Sequence, residues 1–191
     1  MENFADYILT EEDFKEKIEI AYYLHKKENT VFDNSVIFKA SIVKMFIDSM
    51  NINVDCNLVV TAMLLCGCKK VKTTMDIDKI KNYAKESAEY LETLGFSKRF
   101  CKICEEHNRY SGSSPREKES DILELCDQFG AMLMGRPERT PFPIDETLTL
   151  LEHRNLKNVK NIYLEKFKEF GKIAEEAVVC KENLEDTESL T

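Results

Sequence analysis

The run Leu58-Val59-Val60-Thr61-Ala62-Met63-Leu64-Leu65 constrains the fold more than any other part of this chain. It reads as an apolar helix, capped by Asp55 and closed at Cys66-Gly67. Around such an element the rest of the chain must supply a core and a solvated surface. With 43% hydrophobic and 32% charged residues it has the material for both. Its 191 residues suit one domain, or one domain with a short extension.

The remaining sequence reads as helical throughout. Thr10 followed by Glu11-Glu12-Asp13 resembles a capping box, with Phe14, Ile18 and Ala21 then on one face. A second helix starts near Asn34, carries Val36, Phe38, Ala40, Val43 and Phe46, and stops around Met50-Asn51. The apolar helix is the third. A fourth spans about 78 to 94, where Gly95 supplies a stop. Ser97 opens a fifth, reaching about His107.

Residues 108 to 119 form a polar loop around Ser111-Gly112-Ser113-Ser114-Pro115. A sixth helix carries Ile122, Leu125, Cys126, Phe129 and Met132, and the proline-rich stretch from Gly135 to Pro143 is a loop. Two last helices are expected over 144 to 152 and 156 to 179. No strand pattern or internal repeat is evident. The expected architecture is all-α, a single-domain bundle of about seven to eight helices, with residues 1–29 as a helical extension and 181–191 as a disordered acidic tail.

No apolar run approaches the roughly 20 residues that span a bilayer, and Met1-Glu2-Asn3-Phe4-Ala5-Asp6 lacks the basic start and apolar stretch of a signal peptide. The expected location is the cytoplasm. Seven cysteines, an odd number in such a chain, suit reduced thiols. A net charge of -8 argues against nucleic acid, whose phosphate backbone calls for clustered Lys and Arg.

Several segments carry a family resemblance when taken in order. Leu64-Leu65-Cys66-Gly67-Cys68-Lys69-Lys70 resembles the Leu-Leu-His-Asp-Ile-Gly-Lys signature of the HD superfamily, with Cys66 for the His and Gly67 for the Asp. Lys81 to Leu91 resembles a segment in which a ligand His precedes Pro; Tyr83 and Ala84 stand there instead. Glu106-His107-Asn108-Arg109-Tyr110-Ser111-Gly112 resembles the His-His-Glu segment running into Gly-Tyr-Pro, keeping the second His as His107 in a loop one residue short. Ile122 to Met132 is similar to the helix supplying the last ligand Asp, matched by Asp127, with Gly130 for a second Asp. Arg136-Pro137-Glu138-Arg139 is similar to the Arg-Pro-Tyr-Arg that follows.

The order and spacing resemble the HD-GYP branch over about residues 30 to 170. Members with intact motifs hydrolyse cyclic di-GMP with two or three bound metals. The resemblance places a first ligand near Asn34 or Ser35 and makes Cys66, Gly67, Tyr83, Glu106, His107 and Asp127 the vestigial site. It sets Lys70, Arg109, Arg136 and Arg139 as candidate phosphate contacts, Lys70 by its match to the signature lysine.

A two-metal hydrolytic site needs several carboxylate or imidazole ligands and a bridging water. Gly67 offers no donor, and Glu106, His107 and Asp127 with Cys66 suffice for one ion at most. Along one straight helix Cys101 and His107 stand about 9 Å apart, too far to share a zinc. The cysteines read first as small buried packing groups. His107 and Asp127 read as a buried hydrogen-bonded pair left from a metal site, whereas His25 and His153 read as surface or half-buried.

The expected function is thus a catalytically degenerate HD-GYP-like domain acting as a binding or regulatory module for a protein partner or nucleotide, with no cofactor. One alternative is a metal-dependent phosphodiesterase or phosphohydrolase with an altered site holding a single divalent metal on Cys66, Glu106, His107 and Asp127. Another is a structural subunit with a closed cleft. Neither a membrane nor a nucleic-acid partner is expected.

Overall fold

Side-chain capping sets most of the helix starts in the computed structural model. The structure describes residues 3–188 apart from 29, 31, 71–76, 109–110, 136–138 and 156–159; of residues 77, 79, 80 and 177–188 only the backbone is described. Nine helices lie among the described residues: α1 (Phe4–Thr10), α2 (Phe14–Lys27), α3 (Asn34–Ser49), α4 (Cys56–Leu65), α5 (Ile77–Thr93), α6 (Lys98–Glu106), α7 (Lys118–Leu133), α8 (Ile144–Asn155) and α9 (Leu164–Glu188). Asp33, Asp55 and Ser97 accept backbone N–H groups at the starts of α3, α4 and α6. Gly95 ends α5 at φ 93°, with Phe96 N–H on Leu91 O and Gly95 N–H on Glu92 O. That left-handed cap suits glycine.

The expected start at Thr10 is corrected. Thr10 closes α1, its hydroxyl donating to Asp6 O and Tyr7 O, and Asp13 caps α2 by accepting from Lys15 N and Glu16 N, both at 2.9 Å. The last helix begins at Leu164 rather than 156. Asn161 and Ile162 are drawn to α7, donating to Asp121 O at 2.8 Å and Asp121 Oδ2 at 3.1 Å, which holds this stretch out of a helix. The backbone of α9 is helical through Glu188, where disorder was expected from Lys181. Its Glu, Lys and Leu content favours helix, and no Gly or Pro interrupts it there.

α4 is the central element. It packs against α1, α2, α3, α6 and α7, so all seven residues from Val59 to Leu65 are buried. Full burial stabilises by about 1.5–3 kcal/mol per large aliphatic side chain. The α3–α7–α9 contact is aromatic, with Phe46 and Phe129 edge-on to Phe167 at 4.8 and 5.1 Å. One apolar cluster draws on all nine helices, including Ala5, Ile8, Ala21 and Leu24 of the segment expected to be an extension. No helix among the described residues is long and apolar enough to cross a membrane.

His25 differs from its expected exposure: it is 1% exposed, its Nε2 facing Leu64 O at 2.9 Å and Nδ1 facing Thr30 Oγ1 at 3.1 Å. A carbonyl only accepts, so Nε2 carries the proton. The imidazole thus caps the last turn of α4, and burial lowers its pKa. His153 is exposed, in keeping with its sequence reading.

Candidate functional site

The ends of α4 and α6 and the middles of α3, α5 and α7 meet at the candidate site. Cys66 is the C-cap of α4, buried, with its thiol against Met63 O. His107 is the C-cap of α6 and 3% exposed. Its Nδ1 meets Cys104 O, so that nitrogen is the donor and Nε2 the acceptor. The Tyr83 hydroxyl, reaching from α5, donates to Nε2 at 3.1 Å, and the two rings pack edge to face. Burial lowers the imidazole pKa, so this neutral tautomer is the stable one.

Asp127 on α7 shares this neighbourhood, its charge acting on Cys66, Tyr83 and His107. The hydrogen bond expected between His107 and Asp127 is not the one that forms. Lys39 of α3 takes the carboxylate, its Nζ donating to Asp127 Oδ1 at 2.8 Å. Burial pushes the carboxyl pKa up, but the Lys39 and Lys70 cations outweigh it and hold Asp127 well below the usual range. Meanwhile burial pushes the Cys66 thiol up to about 12 and the Tyr83 phenol well above its ordinary value. Thiol, phenol and imidazole are all neutral here, and the ion pair carries the charge.

Glu106 does not join this group. It is fully buried at the junction of α6 and α7, with Oε2 accepting from Glu117 N at 2.8 Å and Ser120 Oγ at 3.1 Å. Lys102, Arg99, Arg116, Glu119, Asp121 and Glu124 extend that network of ion pairs. Gly67 lies in the turn after α4, where, among the described residues, an added β-carbon would meet only Lys70 Cβ, at 3.9 Å. Packing therefore does not require glycine at 67.

Of the candidate phosphate contacts, Lys70 is exposed, with its Nζ 5.0 Å from the Tyr83 ring centroid. Arg139 is committed elsewhere. Its guanidinium donates to Ala131 O, Met132 O and Met134 O and lies over Phe142, closing the C-terminal end of α7. Arg109 and Arg136 lie outside the described residues. Asn34 and Ser35 open α3 under the Asp33 cap, with Ser35 N and Oγ both bonded to Asp33.

The thiols of Cys68 and Cys101 are pushed up to about 11 by burial, and that of Cys104 well above its ordinary value. Protonated thiols are poor nucleophiles. Among the described residues no three or more His, Cys, Asp and Glu side chains are arranged to hold a metal ion. A divalent ion does not fit the donors as they stand: Asp127 already faces an ammonium, and the His107 lone pair faces a phenol.

Sequence reasoning missed Lys39. The signal was its register, three residues after Val36 and four before Val43, which puts a lysine on the buried face of α3. No known protein family, curated protein or solved structure matches this chain.

Proposed function

We propose that this protein is a catalytically degenerate HD-GYP-like domain that works as a binding or regulatory module in the cytoplasm. One observation carries the reading: Asp127 and His107, two of the groups that would hold a metal, are engaged by other groups of the protein. Asp127 is paired with Lys39, and both nitrogens of His107 are engaged, by Cys104 O and by Tyr83. Supporting it, Cys66, Cys104 and Tyr83 are held neutral by burial, so none of these three is an activated nucleophile.

What this surface offers is recognition. Exposed Lys70, over the half-buried Tyr83 ring, gives a positioned cation suited to a nucleotide phosphate or an acidic protein segment. The test is to incubate the protein with cyclic di-GMP and manganese, iron or magnesium while measuring binding by calorimetry. Binding without turnover is expected, weakened in Lys70→Ala. Hydrolysis that disappears in Asp127→Ala would refute the proposal and establish a phosphodiesterase. No binding of the nucleotide would direct the reading to a protein partner.

A further inference from the structure

We infer that the Lys39 ammonium is this protein's own resident cation, standing at Asp127 where the resemblance implies a divalent metal, and that Gly130 is what admits it. Only the comparison with a metal rests on the function proposed above. The ion pair and the glycine contact stand on geometry alone.

Gly130 lies one turn beyond Asp127 on α7, on the same face. A β-carbon there would fall 2.7 Å from Lys39 Cγ, 3.2 Å from Ile42 Cδ1 and 3.7 Å from Lys39 Cα. The first of these distances is far inside van der Waals contact, and the atom it meets is low on the lysine stem, close to the α3 backbone. Glycine is otherwise a poor residue for a helix interior. Its use here is to let the lysine stem cross α7 and deliver Nζ to Asp127. The side chains of the pair are 10% and 26% exposed, so the contact is shielded from water without being sealed.

The charges follow the same logic. In the resemblance, position 130 holds a second Asp, and two carboxylates one turn apart call for a doubly charged ion. With Gly130 one carboxylate remains, and the Lys39 ammonium pairs with it directly while Lys70 acts from farther away. A side chain at 130 and the Lys39 stem compete for the same space, so Gly130 and Lys39 belong together. Unlike a metal, a tethered ammonium cannot be chelated or diluted away.

The experiment uses the full chain and thermal melts. Lys39→Ala is expected to lower the melting temperature by on the order of 10 °C, as loss of one partner of a shielded ion pair does. Methylammonium should restore part of that loss by refilling the vacated site, tetramethylammonium at equal ionic strength should not, and the wild type should respond to neither. A variant that melts like the wild type, or that responds alike to the two salts, overturns the inference.

Should Lys39→Ala not fold, Lys39→Ala/Asp127→Asn carries the test. Recovery of folding assigns the fault to the unpaired carboxylate, and continued failure overturns it. Gly130→Ala should cost several degrees in the wild type and much less in the Lys39→Ala background. Equal losses in both would remove the role given to Gly130. These readouts are independent of cyclic di-GMP, so either proposal can fail while the other stands.

Discussion

Lys17 and Lys39 are both buried, at 1% and 8% exposure, yet the two junctions they occupy solve the same problem in opposite ways. Where α2 meets α1 and α4, the Lys17 Nζ donates to Ile8 O at 2.6 Å and Thr61 Oγ1 at 2.7 Å, with no carboxylate in contact. Ile8 O belongs to the last turn of α1, so the lysine ties that helix end to α4. Burial lowers its pKa to about 8, and the more distant Glu11 and Asp55 charges offset that only in part. Where α3 meets α7, Lys39 finds Asp127, and it is the carboxyl whose pKa falls. Hydrogen bonds to neutral groups hold a lysine in place; only a carboxylate makes its charge part of the architecture.

The largest test of that contrast is to truncate each lysine. Lys39→Met leaves the Asp127 carboxylate shielded and unpaired and should cost about 3 kcal/mol in urea unfolding at pH 7, discounted for the partial exposure of the acid. The same change should flatten the acid limb of stability. A carboxyl held below its unfolded pKa contributes fully above about pH 4, and that contribution fades as the pH falls further. Lys39→Met costing no more than Lys17→Met would erase the distinction.

The pH dependence of Lys17 sharpens it from the other side. A folded pKa of about 8 against 10.5 means the unfolded chain holds more protons between those values. Stability from this group therefore rises with pH across that window, by up to about 3 kcal/mol. Urea unfolding at pH 7.5 and 10 should show the wild type gaining on Lys17→Met as pH increases. A constant difference would show that the lysine keeps its charge without a carboxylate.

The smallest expected effect is at the imidazole. Tyr83→Phe removes the donor to His107 Nε2 and should cost about 1 kcal/mol. Nitrogen NMR of the His107 ring should still report the proton on Nδ1, because Cys104 O holds it there. A switch of tautomer would mean that Tyr83, not the backbone carbonyl, sets the state of this ring.

Much of the helical plan was legible in the sequence because capping and periodicity are local. Asp55, Ser97 and Gly95 mark ends that the structure keeps. Thr10 misled because Asp13, three residues on, offers a carboxylate to two backbone N–H groups at once. Glu106 was placed at the site by the family resemblance, as part of the segment that carries His107. At the end of a helix adjacent residues point about 100° apart, and Glu106 turns to α7 while His107 turns to α5. His25 was expected nearer the surface because Lys26 and Lys27 follow it, although only its own angular position decides its burial.

By itself, then, the sequence determined an all-helical chain, most helix boundaries and the apolar segment at its centre, since these depend on contacts within a few residues. It also contained both buried lysines at core positions, Lys17 between Phe14 and Ala21 and Lys39 between Val36 and Val43. Only the tertiary structure decided what each would meet, because the partners come from helices distant in the chain. The Lys39–Asp127 contact spans 88 residues and the Lys17–Thr61 contact 44. Helical periodicity says which face is buried; the packing of one helix on another chooses the charge or hydroxyl waiting there.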